Sequence, residues 1–144
     1  MSSTPEFLIV YGTLQSAFMN PYAQLLHKRS RYVAPGMFTG SLYDLGDYPG
    51  AIYLPNSATY VHGSVYDIGQ HRERILAELD YYEGVRSAFE QPTEYIRTTI
   101  PVQCDREFIT CWVYLYNLPV NEQALIPTGD YLAYQQRKSH NRKE

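Results

Sequence analysis

Two long β-rich runs, 93–102 and 107–116, are separated only by Gln103-Cys104-Asp105-Arg106, and this pair constrains the fold more than any other feature. An antiparallel hairpin is the simplest pairing for strands joined so closely. Other segments also read as strands. Phe7-Leu8-Ile9-Val10-Tyr11 is an uninterrupted apolar run ending at Gly12, the pattern of a strand buried on both faces that stops at a turn. From Arg31 to Tyr43 the pattern is β-like, with Gly36 and Gly40 suited to bulges or barrel corners. The turn cluster Gly46-Asp47-Tyr48-Pro49-Gly50 precedes short strands at 51–54 and 60–68.

Helical signals are fewer. Asn20 is a candidate N-cap for a short helix over 21–28, with Pro21 in the first turn, where proline is tolerated. Ile75, Leu76, Leu79 and Tyr82 share one face of a helix predicted over 70–82, with Gly84 as its C-terminal cap. Regular structure is expected to end at Pro119. So few βα alternations exclude a doubly wound sheet. The expected fold is α+β, a single domain with a small curved mixed β-sheet or barrel flanked by two or more helices.

A chain of 144 residues can bury a core without disulfides or metals. The domain is expected over 1–136, followed by a basic, disordered tail at 137–144 carrying Arg137, Lys138, Arg142 and Lys143. The net charge of −3 and the dispersed basic residues argue against a nucleic-acid partner. No run approaches the ~20 apolar residues of a membrane span, and the N-terminus lacks a signal layout, so a cytoplasmic protein without membrane association is expected. Cys104 and Cys111 read as buried free thiols. His27, His62, His71 and His140 lie at no ligand spacing, which argues against a metal, and Tyr11-Gly12-Thr13-Leu14 lacks the further glycines and lysine of a nucleotide cradle. What that segment offers is a glycine turn after a central strand, where successive N–H groups can hold an oxygen or carboxylate. Tyrosine occurs 15 times, which suits half-buried sheet surfaces and a polar ligand cavity.

Glu83 sits at the end of the predicted second helix, the negative end of the helix dipole, where an acid is electrostatically misplaced. On position alone a solvated surface acid is the favoured reading. The alternative is a carboxyl whose pKa is raised by the dipole and partial burial, which makes it a useful base at neutral pH.

The ordered set shifts that balance. Tyr11-Gly12-Thr13-Leu14, Tyr48-Pro49-Gly50, Val61-His62-Gly63-Ser64-Val65-Tyr66, Leu79-Asp80-Tyr81-Tyr82-Glu83-Gly84 and Tyr95-Ile96-Arg97 before Trp112-Val113-Tyr114 occur in this sequence order. Together they resemble the γ-glutamylcyclotransferase-like (AIG2-like) family over about residues 7–116. The resemblance implies a small barrel with one cavity, a backbone cradle for a glutamyl group at Tyr11, Gly12, Thr13 and Leu14, and Glu83 as catalytic acid/base. Tyr48, Pro49, Gly50, Tyr95 and Tyr131 are further substrate-binding candidates, with a structural role as the alternative for the three tyrosines. The loop continues Gln15-Ser16-Ala17-Phe18 where many relatives carry a basic, glycine-containing stretch, a departure that bears on the substrate's tail.

The implied reaction is cyclisation of the γ-glutamyl group of an amine or peptide to 5-oxoproline with release of the amine. It needs no cofactor. The implied partner is that small-molecule substrate, and a monomer or weak homodimer is expected. Two rival readings remain at this level: a binding module with the same cavity but no turnover, and hydrolysis of the γ-glutamyl bond by water.

Overall fold

The computed structural model describes residues 6–12, 20–46, 48–83 and 93–142, with side chains described to Lys138. Strand β1 (Phe7–Val10) is followed by α1 (Pro21–Arg29), β2 (Arg31–Asp44), β3 (Pro49–Tyr53), β4 (Tyr60–Asp67), α2 (Arg72–Tyr82), β5 (Tyr95–Cys104), β6 (Glu107–Tyr116), β7 (Leu125–Ile126) and α3 (Tyr131–Arg142). The strands run in the order β3-β2-β4-β1-β6-β5, and Met37 of β2 pairs with Gln103 of β5. This last pairing curls the sheet into a small barrel. The sheet is mixed, because β1 lies antiparallel to β4 and parallel to β6.

The apolar run at the N-terminus is the central strand for a physical reason. Successive side chains on a strand point to opposite faces, and both faces of β1 are covered. Ile9 and Tyr11 enter one core with Phe38, Val61, Val65, Val102 and Val113. Leu8 and Val10 enter a second, with Leu26 of α1 and Ile75, Leu76 and Leu79 of α2. Burying each such aliphatic side chain contributes roughly 1.5–3 kcal/mol. The second core places the end of α2 over β5 and β6.

The hairpin of β5 and β6 is confirmed in register from Tyr95↔Tyr116 to Cys104↔Glu107. Its turn is tighter than the spacing suggested. Asp105 and Arg106 alone make the connection, and Asp105 takes φ 58°, a left-handed conformation that aspartate tolerates. Strand β2 changes partner along its length, leaving β4 after Thr39 and joining β3 from Gly40 onward. A Cβ on Gly40 would stand 2.0 Å from the Ile52 carbonyl oxygen, so the change of partner requires glycine there. Asn20 caps α1 as expected, its Oδ1 accepting from the Ala23 N–H at 2.8 Å. The second helix starts as a 3₁₀ turn, Gly69–His71, before α2 proper. Its proposed cap Gly84 lies outside the described residues, and Glu83 itself is the C-cap, its N–H donating to the Leu79 carbonyl at 2.8 Å.

Regular structure does not stop at Pro119. A 3₁₀ turn at Glu122–Ala124, strand β7 paired with β2, and helix α3 follow. Residues 137–142, expected from their charge to be a disordered tail, continue this helix. The helix is anchored by contacts that no local pattern announces. Tyr131 is buried in the barrel core, the Tyr134 hydroxyl donates to Asp44 Oδ2 at 2.6 Å, and Lys138 reaches the same oxygen at 3.3 Å. Asp130 begins the helix by accepting from the Ala133 N–H at 3.1 Å. Cys104 and Cys111 are free and buried. Among the described residues no helix is long and apolar enough to cross a membrane.

Candidate active site

At the end of β1 the chain meets the turn that opens β3. A Cβ on Gly12 would lie 2.8 Å from Pro49 Cγ, and a Cβ on Gly50 would lie 2.8 Å from the Tyr116 ring. Glycine at both positions lets Tyr11-Gly12, Tyr48-Pro49-Gly50 and the end of β6 close on one point. Hydrogen bonds fix that closure. The Tyr11 hydroxyl donates to the Tyr114 carbonyl at 2.5 Å and accepts from the Ala51 N–H at 3.2 Å. The Tyr95 hydroxyl donates to the Pro49 carbonyl at 2.6 Å, and the Tyr95 ring meets those of Tyr48 and Tyr116 at 6.2 and 5.6 Å.

Glu83 faces this cluster from the end of α2. The residue keeps some contact with solvent, yet protein shields its carboxyl so far that burial, with the charge of Glu94 as a second cause, raises its pKa to about 8. Its charge in turn disfavours ionisation of the Tyr11, Tyr95 and Tyr114 hydroxyls, whose pKa values are pushed far up, chiefly by their own burial. The hydroxyls are therefore neutral at any ordinary pH, and Glu83 is the group here that changes protonation near neutrality.

The candidates separate into two sets. Tyr11, Gly12, Tyr48, Pro49, Gly50 and Tyr95 converge, with Glu83 close enough for its charge to act on Tyr11 and Tyr95. The hydroxyls of Tyr11 and Tyr95 are held by main-chain groups, so these residues brace the cluster rather than offer a free donor. Thr13 and Leu14 lie outside the described residues. Tyr131 sits in the barrel-interior core that also holds Tyr11, and its hydroxyl accepts from Gln135 on its own helix at 2.9 Å.

Glu94 escaped sequence reasoning. Its Oε1 accepts from the Tyr48 hydroxyl at 2.5 Å, and it is the second carboxylate acting on Glu83. The only signal for it was its place directly before Tyr95. Among the described residues no three His, Cys, Asp or Glu side chains converge as a metal site. A cleft of about 390 Å³ lies at the start of α2, lined by residues 69–74. It is at the opposite end of that helix from Glu83.

Comparison with known proteins identifies the family. The family model for gamma-glutamyl cyclotransferase, AIG2-like, matches residues 8–133. YtfP of Escherichia coli K12, a gamma-glutamylcyclotransferase family protein, is 36% identical over 129 residues, covering 87% of this chain and 95% of that protein. Among solved structures, an aig2-like protein from Mus musculus shares the fold with a TM-score of 0.66 at 25% identity, over 88% of this chain and 87% of that one. YkqA from Bacillus subtilis shares it with a TM-score of 0.72 at 24% identity, over 95% of this chain but 43% of that longer one. The barrel, the strand-end glycine loop and the helix-end glutamate thus lie within a match spanning most of the sequence, and the chain belongs to the γ-glutamylcyclotransferase, AIG2-like family.

Proposed function

We propose that the chain is an enzyme that cyclises the γ-glutamyl group of a γ-glutamyl amine or peptide to 5-oxoproline, releasing the free amine, with Glu83 as acid and base. The carrying observation is a shielded carboxyl with a pKa of about 8, close enough to Tyr11 at the end of β1 for its charge to act on that hydroxyl. The substrate's α-amino group attacks its own γ-carbonyl, so nucleophile and electrophile are already tethered. The protein has to fold the side chain back, remove a proton from the amine and stabilise the oxyanion.

Each task falls to a named group. An α-ammonium has a pKa near 8, so Glu83 is matched to it and proton transfer is nearly thermoneutral, whereas an ordinary glutamate would be a poor base. The proton gained by Glu83 passes to the departing nitrogen as the C–N bond breaks. Main-chain N–H groups from Gly12 to Leu14 are assigned to the substrate carboxylate or the oxyanion. The rings of Tyr48 and Tyr95, which lie 6.2 Å apart, are assigned to holding the substrate's glutamyl part. The reaction as drawn calls on no cofactor.

The test is a panel of γ-glutamyl amines and peptides assayed for both 5-oxoproline and released amine. Glu83→Gln should lower turnover about 100- to 10,000-fold with the fold intact. Wild-type-like turnover in that variant removes Glu83 from the chemistry. Glutamate as the product replaces cyclisation by hydrolysis, and binding without any product leaves a recognition module.

A further inference from the structure

Asp80 lies one helical turn before Glu83 on α2, within the same motif, and the proposed chemistry gives it no part. Its carboxylate is nonetheless closely held. Arg97 Nη1 donates to Oδ2 at 2.9 Å and Oδ1 at 3.1 Å, and the Tyr114 hydroxyl donates to Oδ1 at 2.8 Å. Arg97 and Tyr114 are direct partners across the β5–β6 ladder, so Asp80 is seated on a cross-strand pair. The Arg97 guanidinium is itself held, 5.0 Å above the Trp112 ring.

Tyr114 grips both sides of the candidate site. Its hydroxyl binds Asp80 and lies 3.3 Å from the Leu76 carbonyl, both on α2, while its main-chain carbonyl accepts the Tyr11 hydroxyl. The apolar contacts of Ile75, Leu76 and Leu79 bury α2 but are non-directional, and such contacts permit small slides and rotations. The hydrogen bonds to Asp80 are directional, and they act within one turn of Glu83.

We infer that Asp80, seated on the Arg97–Tyr114 pair, is a positioning residue that fixes the last turn of α2 and thereby sets where the Glu83 carboxyl stands relative to the Tyr11–Gly12 loop. This rests on the reading of Glu83 as acid and base. A carboxyl displaced by about 1 Å from its working position costs on the order of 100-fold in rate.

Two variants test it. Asp80→Asn keeps the side-chain shape and removes the charge, and Tyr114→Phe removes only the hydroxyl. Each should lower kcat about 10- to 100-fold with KM within about twofold. Placed on Glu83→Gln, Asp80→Asn should lower the residual rate no further, because its effect runs through Glu83. Unchanged kcat in both variants, or an undiminished effect on the Glu83→Gln background, overturns the inference. A second readout does not depend on turnover: the Glu83 carboxyl titration followed by carbon NMR should fall from about 8 toward the ordinary glutamate range in both variants, as the loosened turn admits water. A titration that stays put in both overturns the inference whatever the enzyme turns over, and a wild-type protein that makes no 5-oxoproline overturns the cyclisation reading instead.

Discussion

Gly12 and Pro49 approach so closely that a Cβ on Gly12 would stand 2.8 Å from Pro49 Cγ and 3.0 Å from Cδ. The proline ring cannot swing away, because its own main-chain carbonyl is bound by Tyr95 and the next residue is packed on Tyr116. Gly12→Ala must therefore push the loop after β1 away from the β3 turn. The overpacking should cost about 1–3 kcal/mol, measurable by denaturant unfolding. Because the displaced loop is the proposed cradle, kcat/KM should fall on the order of 100-fold, more than the stability loss alone explains in a still-folded protein.

The raised pKa of Glu83 has two opposed consequences with pH. As a base it works ionised, and it takes its proton from an ammonium that is itself lost above about pH 8, so kcat/KM should rise with pH, pass through a maximum near 8 and then fall. For stability the direction reverses. The unfolded chain releases this proton near 4.5 and the folded chain near 8, so between those values the folded state binds more protons, and stability falls as pH rises through the window. Glu83→Gln removes that loss. Allowing for its partial exposure, the variant should be about 1–3 kcal/mol more stable than wild type at pH 8 and show little gain at pH 4. Equal thermal midpoints for the two proteins at both pH values would show that the carboxyl is not shielded as described.

What the sequence disclosed and what it withheld divide along a physical line. The buried run of β1, the Asn20 cap of α1 and the β5–β6 hairpin are set by neighbours along the chain, through periodicity, capping and turn length. The position of Glu83 at the end of α2 was legible for the same reason. Helix α3 was not, because its few apolar residues find their partners far away in sequence, on Asp44 and in the barrel core. Within the site, the clash that demands glycine at position 12 and the charge of Glu94 beside Glu83 are products of closure. The helix dipole offered a reason for a perturbed acid, but burial is the leading cause and Glu94 the second.

Asp44 joins α3 to the turn that carries Tyr48. Its carboxylate accepts from Tyr134 at 2.6 Å, from Lys138 at 3.3 Å and from the Gly46 N–H at 2.8 Å, and the same turn is closed by the Leu45 N–H donating to the Tyr48 carbonyl at 3.0 Å. Burial alone would raise the Asp44 pKa, but those three donors outweigh it and hold the carboxyl below its usual value. A depressed carboxylate contributes stability above its unfolded pKa and loses it as pH falls through the folded one. The contribution of Asp44 is thus full at neutral pH and begins to be lost only as pH falls below the ordinary aspartate value of about 4. Asp44→Asn should cost about 1–3 kcal/mol at pH 7, mostly from the Tyr134 hydrogen bond, since the Lys138 pair is partly exposed and screened. The difference from wild type should shrink on acidification. Hydrogen exchange in α3 should quicken in the variant at neutral pH, and unchanged protection there would show that the helix is held by Tyr131 and the barrel core instead.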